Sequence, residues 1–145
     1  MQKKASYNAT LNPAIVKNYQ KIQAALSQKN AQILDARPAG RFSGKEPEPR
    51  AGLSSGHMPL SISLPFPDLV DPTSKTLLPK DKLLALFQSK NIDLSQPIIC
   101  TCGSGITASM IYVALEQVGA ATVSVYDGSW AEYASLPSSV IVKDC

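Results

Sequence analysis

A chain of 145 residues with 44% hydrophobic residues is long enough for one packed core and too apolar for a disordered tail. Its net charge of +3 comes from scattered lysines without interleaved aromatics, which argues against a nucleic-acid-binding stripe, and no apolar run reaches the roughly 18 residues of a membrane span. The cysteines are Cys100, Cys102 and Cys145 and the only histidine is His57, a set that supports neither a disulfide framework nor a Cys/His metal cage and suits a reducing compartment with a functional thiol.

The opening residues, Met1 to Tyr7, lack the apolar stretch of a secretory signal. Asn12-Pro13 is a helix start, a side-chain cap followed by a proline whose missing N–H costs nothing in the first turn. Val16, Tyr19, Ile22 and Leu26 recur at helical spacing and predict a helix over about 13–28 with one apolar stripe. Gln32 to Ala36 predicts a short strand. The segment from Arg37 to Pro59, rich in Gly, Pro, Ser and charge, predicts a long loop; loops of more than about 15 residues in a compact domain are functional or disordered. Ser61 to Leu64 predicts a second strand, Phe66 to Val70 a short helix, and Pro79 to Lys90 a longer one with Leu83, Leu84 and Phe87 inward. Pro97 to Thr101 reads as a buried parallel strand and Thr107 to Val118 as a helix stopped at Gly119. Thr122 to Tyr126 is the last strand, and Ser129 caps a final short helix. Strands alternating with helices predict an α/β fold, a parallel sheet with helices on both faces.

The most informative segment joins a strand to a helix through Cys102-Gly103-Ser104-Gly105-Ile106-Thr107. Ligands of open α/β sheets bind at the carboxyl ends of the strands, where Cys102 sits. Glycines at 103 and 105 let the backbone curl so that successive N–H groups point inward as an anion nest, and the next helix adds its positive N-terminal end. Together these favour a thiolate over a thiol, and a thiolate is the nucleophile that sulfur transfer requires. The same nest suits the anionic outer sulfur of a persulfide. The competing reading of Cys102, a small buried hydrophobe, does not explain two flanking glycines. Cys100, inside the apolar strand, reads as core, and Cys145 as inert.

Three stretches carry a family resemblance: the cysteine loop; Val123 to Tyr133, which reads Val-Ser-Val-Tyr-Asp-Gly-Ser-Trp-Ala-Glu-Tyr; and Asp35-Ala36-Arg37 with Gly40-Arg41-Phe42, Pro47-Glu48-Pro49-Arg50 and Ser55-Gly56-His57. In this order they resemble the C-terminal catalytic domain of the two-domain rhodanese family, and within it the 3-mercaptopyruvate sulfurtransferases. The thiosulfate-preferring branch carries basic residues after the cysteine, which this loop lacks. The resemblance implies a rhodanese-like parallel sheet and a single catalytic domain over residues 1–145, with about 1–11 a linker from an N-terminal domain that is not in the chain. One departure is Leu60, where the family has a glycine, and it predicts a changed turn.

The resemblance also implies roles. Cys102 is the catalytic residue; Gly103, Ser104, Gly105, Ile106 and Thr107 form the persulfide loop; Arg41 and Arg50 bind the substrate carboxylate. Sequence alone would read each arginine as a solvated loop residue paired with Glu46 or Glu48. Ser104 and Thr107 hydroxyls are candidates to stabilise a departing enolate, Thr107 also to cap its helix. Arg37 reads as a structural partner of Asp35, His57 as structural, and Trp130 and Tyr133 as core. The reaction implied is sulfur transfer from 3-mercaptopyruvate, or thiosulfate, to a thiol or protein acceptor through a Cys102 persulfide, with no metal or organic cofactor. The alternative is a relay module that receives persulfide from a donor protein and passes it on, for example toward tRNA thiolation. A phosphatase would need an arginine closing the cysteine loop, where Thr107, Ala108 and Ser109 stand. The expected partners are the small-molecule donor, the acceptor and the family's own N-terminal domain, with neither nucleic acid nor membrane directly; the expected compartment is cytoplasmic, mitochondrial or both.

Overall fold

The computed structural model describes residues 4–144; the terminal Cys145 lies outside them. Five strands, β1 (Val16–Lys17), β2 (Gln32–Asp35), β3 (Ile62–Ser63), β4 (Ile98–Thr101) and β5 (Val123–Tyr126), form one sheet in the order β1-β5-β4-β2-β3, with every pairing parallel. The helices are α1 (Tyr19–Gln28), α2 (Ala39–Ser43), α3 (Lys80–Ser89), α4 (Ala108–Val118) and α5 (Ser129–Tyr133), with 3-10 turns at Pro13–Ile15 and Phe66–Leu69. The central strand β4 is buried along its whole length, as its apolar run requires. Alternation then sorts the core into two layers. Leu34, Ile98 and Cys100 pack beneath α3 and α4 with Phe87, Ile111 and Leu115, while Ile33 and Ile99 pack beneath α1 and α5 with Ile22, Tyr126 and Trp130. Helices therefore cover both faces, as the sequence predicts. No helix among the described residues is long and apolar enough to cross a membrane.

The helix expected over about 13–28 is divided. Asn12 caps as predicted, accepting from the Ala14 N–H at 3.1 Å, but only a 3-10 turn follows. Val16 and Lys17 then extend and pair with Val125 and Tyr126 at the sheet edge, which takes Val16 off the helical stripe. Asn18 caps afresh, its side chain accepting from the Lys21 N–H at 3.1 Å, and α1 begins one residue later. The long loop is also not featureless, because α2 lies inside it and carries Arg41.

At Leu60 the backbone takes a glycine-like conformation, so the departure shows as strain and not as the expected change of turn. Its φ is +63, the left-handed conformation a glycine adopts freely and other residues at a cost. The side chain is 68% exposed, so removing it sacrifices little packing. Leu60→Gly is expected to stabilise the fold by about 0.5–1 kcal/mol, the relief of strain outweighing the added freedom of the unfolded chain. A thermal melt checks this, and a lower Tm would show the residue to be unstrained.

Candidate functional site

Because the sheet is parallel, Asp35, Thr101 and Tyr126 end their strands at the same edge, with Asp35 opposite Thr101. Cys102 follows Thr101 directly and is 2% exposed. The loop that carries it is held from outside by the start of α5. The Trp130 N–H donates to the Cys102 carbonyl at 2.9 Å and the Ala131 N–H to the Gly103 carbonyl at 3.0 Å. The Cys102 N–H donates to Ser129 Oγ at 3.3 Å, and that hydroxyl donates to the Tyr126 carbonyl at 2.8 Å. Inside the loop, the Gly105 N–H points at Cys102 Sγ, 3.0 Å away. This is the hydrogen bond a thiolate or persulfide accepts.

The two loop glycines have separate physical reasons. Gly105 has φ +92, and a Cβ there would sit 3.1 Å from the Asp127 carbonyl oxygen. At Gly103 a Cβ would sit 3.1 Å from Arg41 Nη2 and 3.4 Å from Arg50 Nη1. A Cβ at 103 would crowd Arg41 and touch Arg50, so the bare backbone gives both guanidinium groups room beside the cysteine loop.

Arg41 and Arg50 share a cavity of about 330 Å³ with Cys102, Gly103, Ser104, Ile106 and Thr107, walled by Phe66 and Pro49. The structure thus brings together all but one of the sequence-predicted site residues in one lining, and the exception, Gly105, sits beneath it against Asp127 and the sulfur. Arg41 does pair with Glu48, through Nε at 3.1 Å and Nη2 at 2.7 Å, and still lines the cavity. Arg50 is exposed and makes no ion pair or side-chain hydrogen bond with the described residues.

Two capping expectations are corrected. Thr107 precedes α4 but its hydroxyl makes no cap bond, leaving it free to face the cavity. Ser129 is the first residue of α5, not its cap; with φ +50 its side chain turns back to bind the Cys102 N–H.

Cys100, His57, Trp130 and Tyr133 fall where the sequence reading puts them, whereas Leu84, expected inward, is 37% exposed and Arg37 lines the cavity. Cys100 is fully buried, and burial pushes its thiol far up from the ordinary cysteine value, so it is no nucleophile at neutral pH. His57 stacks on Phe42 at 4.1 Å and its Nδ1 lies 2.9 Å from the Phe42 carbonyl oxygen, outside the cavity lining. Trp130 and Tyr133 are core, and burial pushes the Tyr133 hydroxyl up to about 12. Arg37 contacts more than Asp35. It forms ion pairs with Asp35 at 2.7 Å and Glu48 at 2.8 Å, donates to the Gly56 carbonyl at 2.6 Å, and lies 4.0 Å from the centroid of the Trp130 ring. The sequence offers Glu48 as an arginine's surface partner and Ser129 as a cap; the burial of Glu48 and the Ser129 bond to Cys102 are not read from it.

Residues 18–136 match the rhodanese-like domain family. The chain is 40% identical to human 3-mercaptopyruvate sulfurtransferase over 129 residues, covering 89% of this chain and 43% of that protein. It is 42% identical to rat thiosulfate sulfurtransferase over 130 residues, again 89% of this chain and 43% of the relative. The solved sulfur transferase subunit of yeast mitochondrial complex I superposes with a TM-score of 0.86 at 40% identity, over 99% of this chain and 53% of the subunit. The chain thus spans less than half the length of these two curated relatives. On the family match and these identities, the chain belongs to the rhodanese family.

Proposed function

We propose that the chain is a sulfurtransferase that takes sulfur from 3-mercaptopyruvate and holds it as a persulfide on Cys102. The Cys102 thiolate attacks the donor's thiol sulfur. The new S–S bond forms as the C–S bond breaks, and the electron pair stays on carbon as the pyruvate enolate, which picks up a proton to become pyruvate. The outer sulfur then passes to a nucleophile (cyanide, a small thiol or a protein thiol), and the Cys102 thiolate returns. The observation that carries this reading is the approach of two guanidinium groups to Gly103, beside a sulfur that accepts the Gly105 N–H. Arg41 and Arg50 match a carboxylate donor in charge and fork geometry. Ser104 and Thr107, in the same lining, offer hydroxyls to the developing enolate oxygen. Gly103, Gly105 and Ile106 shape the loop, and nothing in the reaction calls for a metal or organic cofactor.

Intact mass tests the reading. The chain is incubated with 3-mercaptopyruvate and, separately, with thiosulfate, and the product is mapped by peptide. One added sulfur on Cys102, more with mercaptopyruvate, is the expected result; thiosulfate loading it equally well would overturn the donor assignment. The relay reading is favoured by one specific likeness, to a subunit that works inside a larger assembly. It predicts that Cys102 loads only when a persulfidated donor protein is supplied. Since the relatives are about twice as long, we further propose that an N-terminal domain closes the cavity in the whole protein, in the cytoplasm or mitochondrion.

A further inference from the structure

Of the three arginines that line the cavity, Arg37, Arg41 and Arg50, the last two are held very differently. The Glu48 side chain is fully buried, and both of its carboxylate oxygens are engaged. Oε1 accepts from Arg37 Nη1 at 2.8 Å and Arg41 Nε at 3.1 Å, while Oε2 accepts from Arg41 Nη2 at 2.7 Å. A guanidinium offers a carboxylate two edges, Nε with one terminal nitrogen, or the two terminal nitrogens together. Glu48 occupies the first edge of Arg41. Among the described residues the second has no partner, and Nη2, which belongs to both, stands over Gly103. Glu48 is itself fixed by Arg37, which the Asp35 carboxylate, the Gly56 carbonyl and the Trp130 ring hold in place.

We propose that Glu48 is a positioning residue: by taking one edge of Arg41 it aims the other at the donor carboxylate, making Arg41 the fixed anchor and leaving Arg50 as the cation that orders on binding. This rests on the reading that the two arginines receive the donor's carboxylate. The charge of Glu48 works against anion binding, whereas the geometry it imposes works for it. That opposition supplies a test whose sign separates the two effects.

The probes are iodoacetate, which carries a carboxylate, and its neutral counterpart iodoacetamide. Their alkylation rates at Cys102 are followed by peptide mapping in the 145-residue chain, and their ratio is scaled to that of a free thiol in solution. The wild-type ratio is expected to favour iodoacetate. In Glu48→Gln it should fall by about tenfold, the loss expected for one well-aimed charge-assisted hydrogen bond, although the variant has lost a negative charge that on its own would raise the ratio. Glu48→Asp keeps the charge and shortens the reach by one methylene, and its ratio should fall as well; it also guards against a Glu48→Gln chain that does not fold. A merely structural role would slow both reagents equally and leave the ratio alone. A ratio that holds or rises in either folded variant overturns the proposal. Sulfur loading from 3-mercaptopyruvate is measured separately on the wild type, so an intact ratio effect without loading would count against the donor, not against Glu48.

Discussion

Cys102→Ser is expected to abolish sulfur loading, with turnover lowered by at least about ten-thousandfold, the scale on which removal of a catalytic nucleophile acts. A serine hydroxyl is scarcely ionised at neutral pH and does not form a stable oxygen–sulfur adduct under these conditions. No other thiol among the described residues stands ready, because Cys100 is fully buried and its thiol is pushed far up by that burial. The substitution is gentle on the fold. Serine is slightly smaller, the Gly105 N–H that faces Sγ keeps an acceptor, and the α5 bonds to the loop engage the loop's backbone N–H and carbonyls, not the Cys102 side chain. The expected result is therefore a chain with a near wild-type thermal midpoint that gains no sulfur in the mass experiment. Persulfide formed elsewhere in Cys102→Ser would remove Cys102 from the mechanism and with it the proposed reaction.

What the sequence made legible was local. The mostly apolar β4, the glycines that follow it and the stop at Gly119 each declare themselves within a few residues. They were enough to place Cys102 at a strand end. What it hid was set by partners far along the chain. Val16 continues a helical stripe in the sequence, and only the unpaired edge of β5, more than a hundred residues later, turns it into a strand. Glu48 between two prolines reads as a solvated loop carboxylate. It is buried because Arg37 and Arg41 converge on it, which no spacing rule announces. Ser129 reads as a cap until its left-handed φ turns the hydroxyl toward Cys102, 27 residues away. The arginines were placed at the site by family likeness; the room that the bare backbone of Gly103 gives them is visible only in three dimensions.

Arg37→Met should be the most damaging single substitution to stability among the charged residues of this edge. Arg37, Arg41, Asp35 and Glu48 form a closed set of two positive and two negative charges, three of their side chains at 1% exposure or less and Arg41 at 19%. Methionine keeps much of the contact with the Trp130 ring but strips Asp35 of its ion-pair partner and Glu48 of one of two. An uncompensated buried carboxylate costs about 3–5 kcal/mol, which for a chain of this size lowers Tm by at least roughly 10 °C. The Gly56 carbonyl also loses its donor. If the cost arises from the stranded charge and not from lost packing, it must be largely coupled to Asp35. Adding Asp35→Asn to Arg37→Met should then recover about 1–3 kcal/mol, making the double variant much less destabilised than the two singles summed. Additive losses in that cycle would mean that the Arg37–Asp35 pair contributes little, and that the cost of Arg37→Met lies in the bonds of Arg37 to Glu48 and to the Gly56 carbonyl.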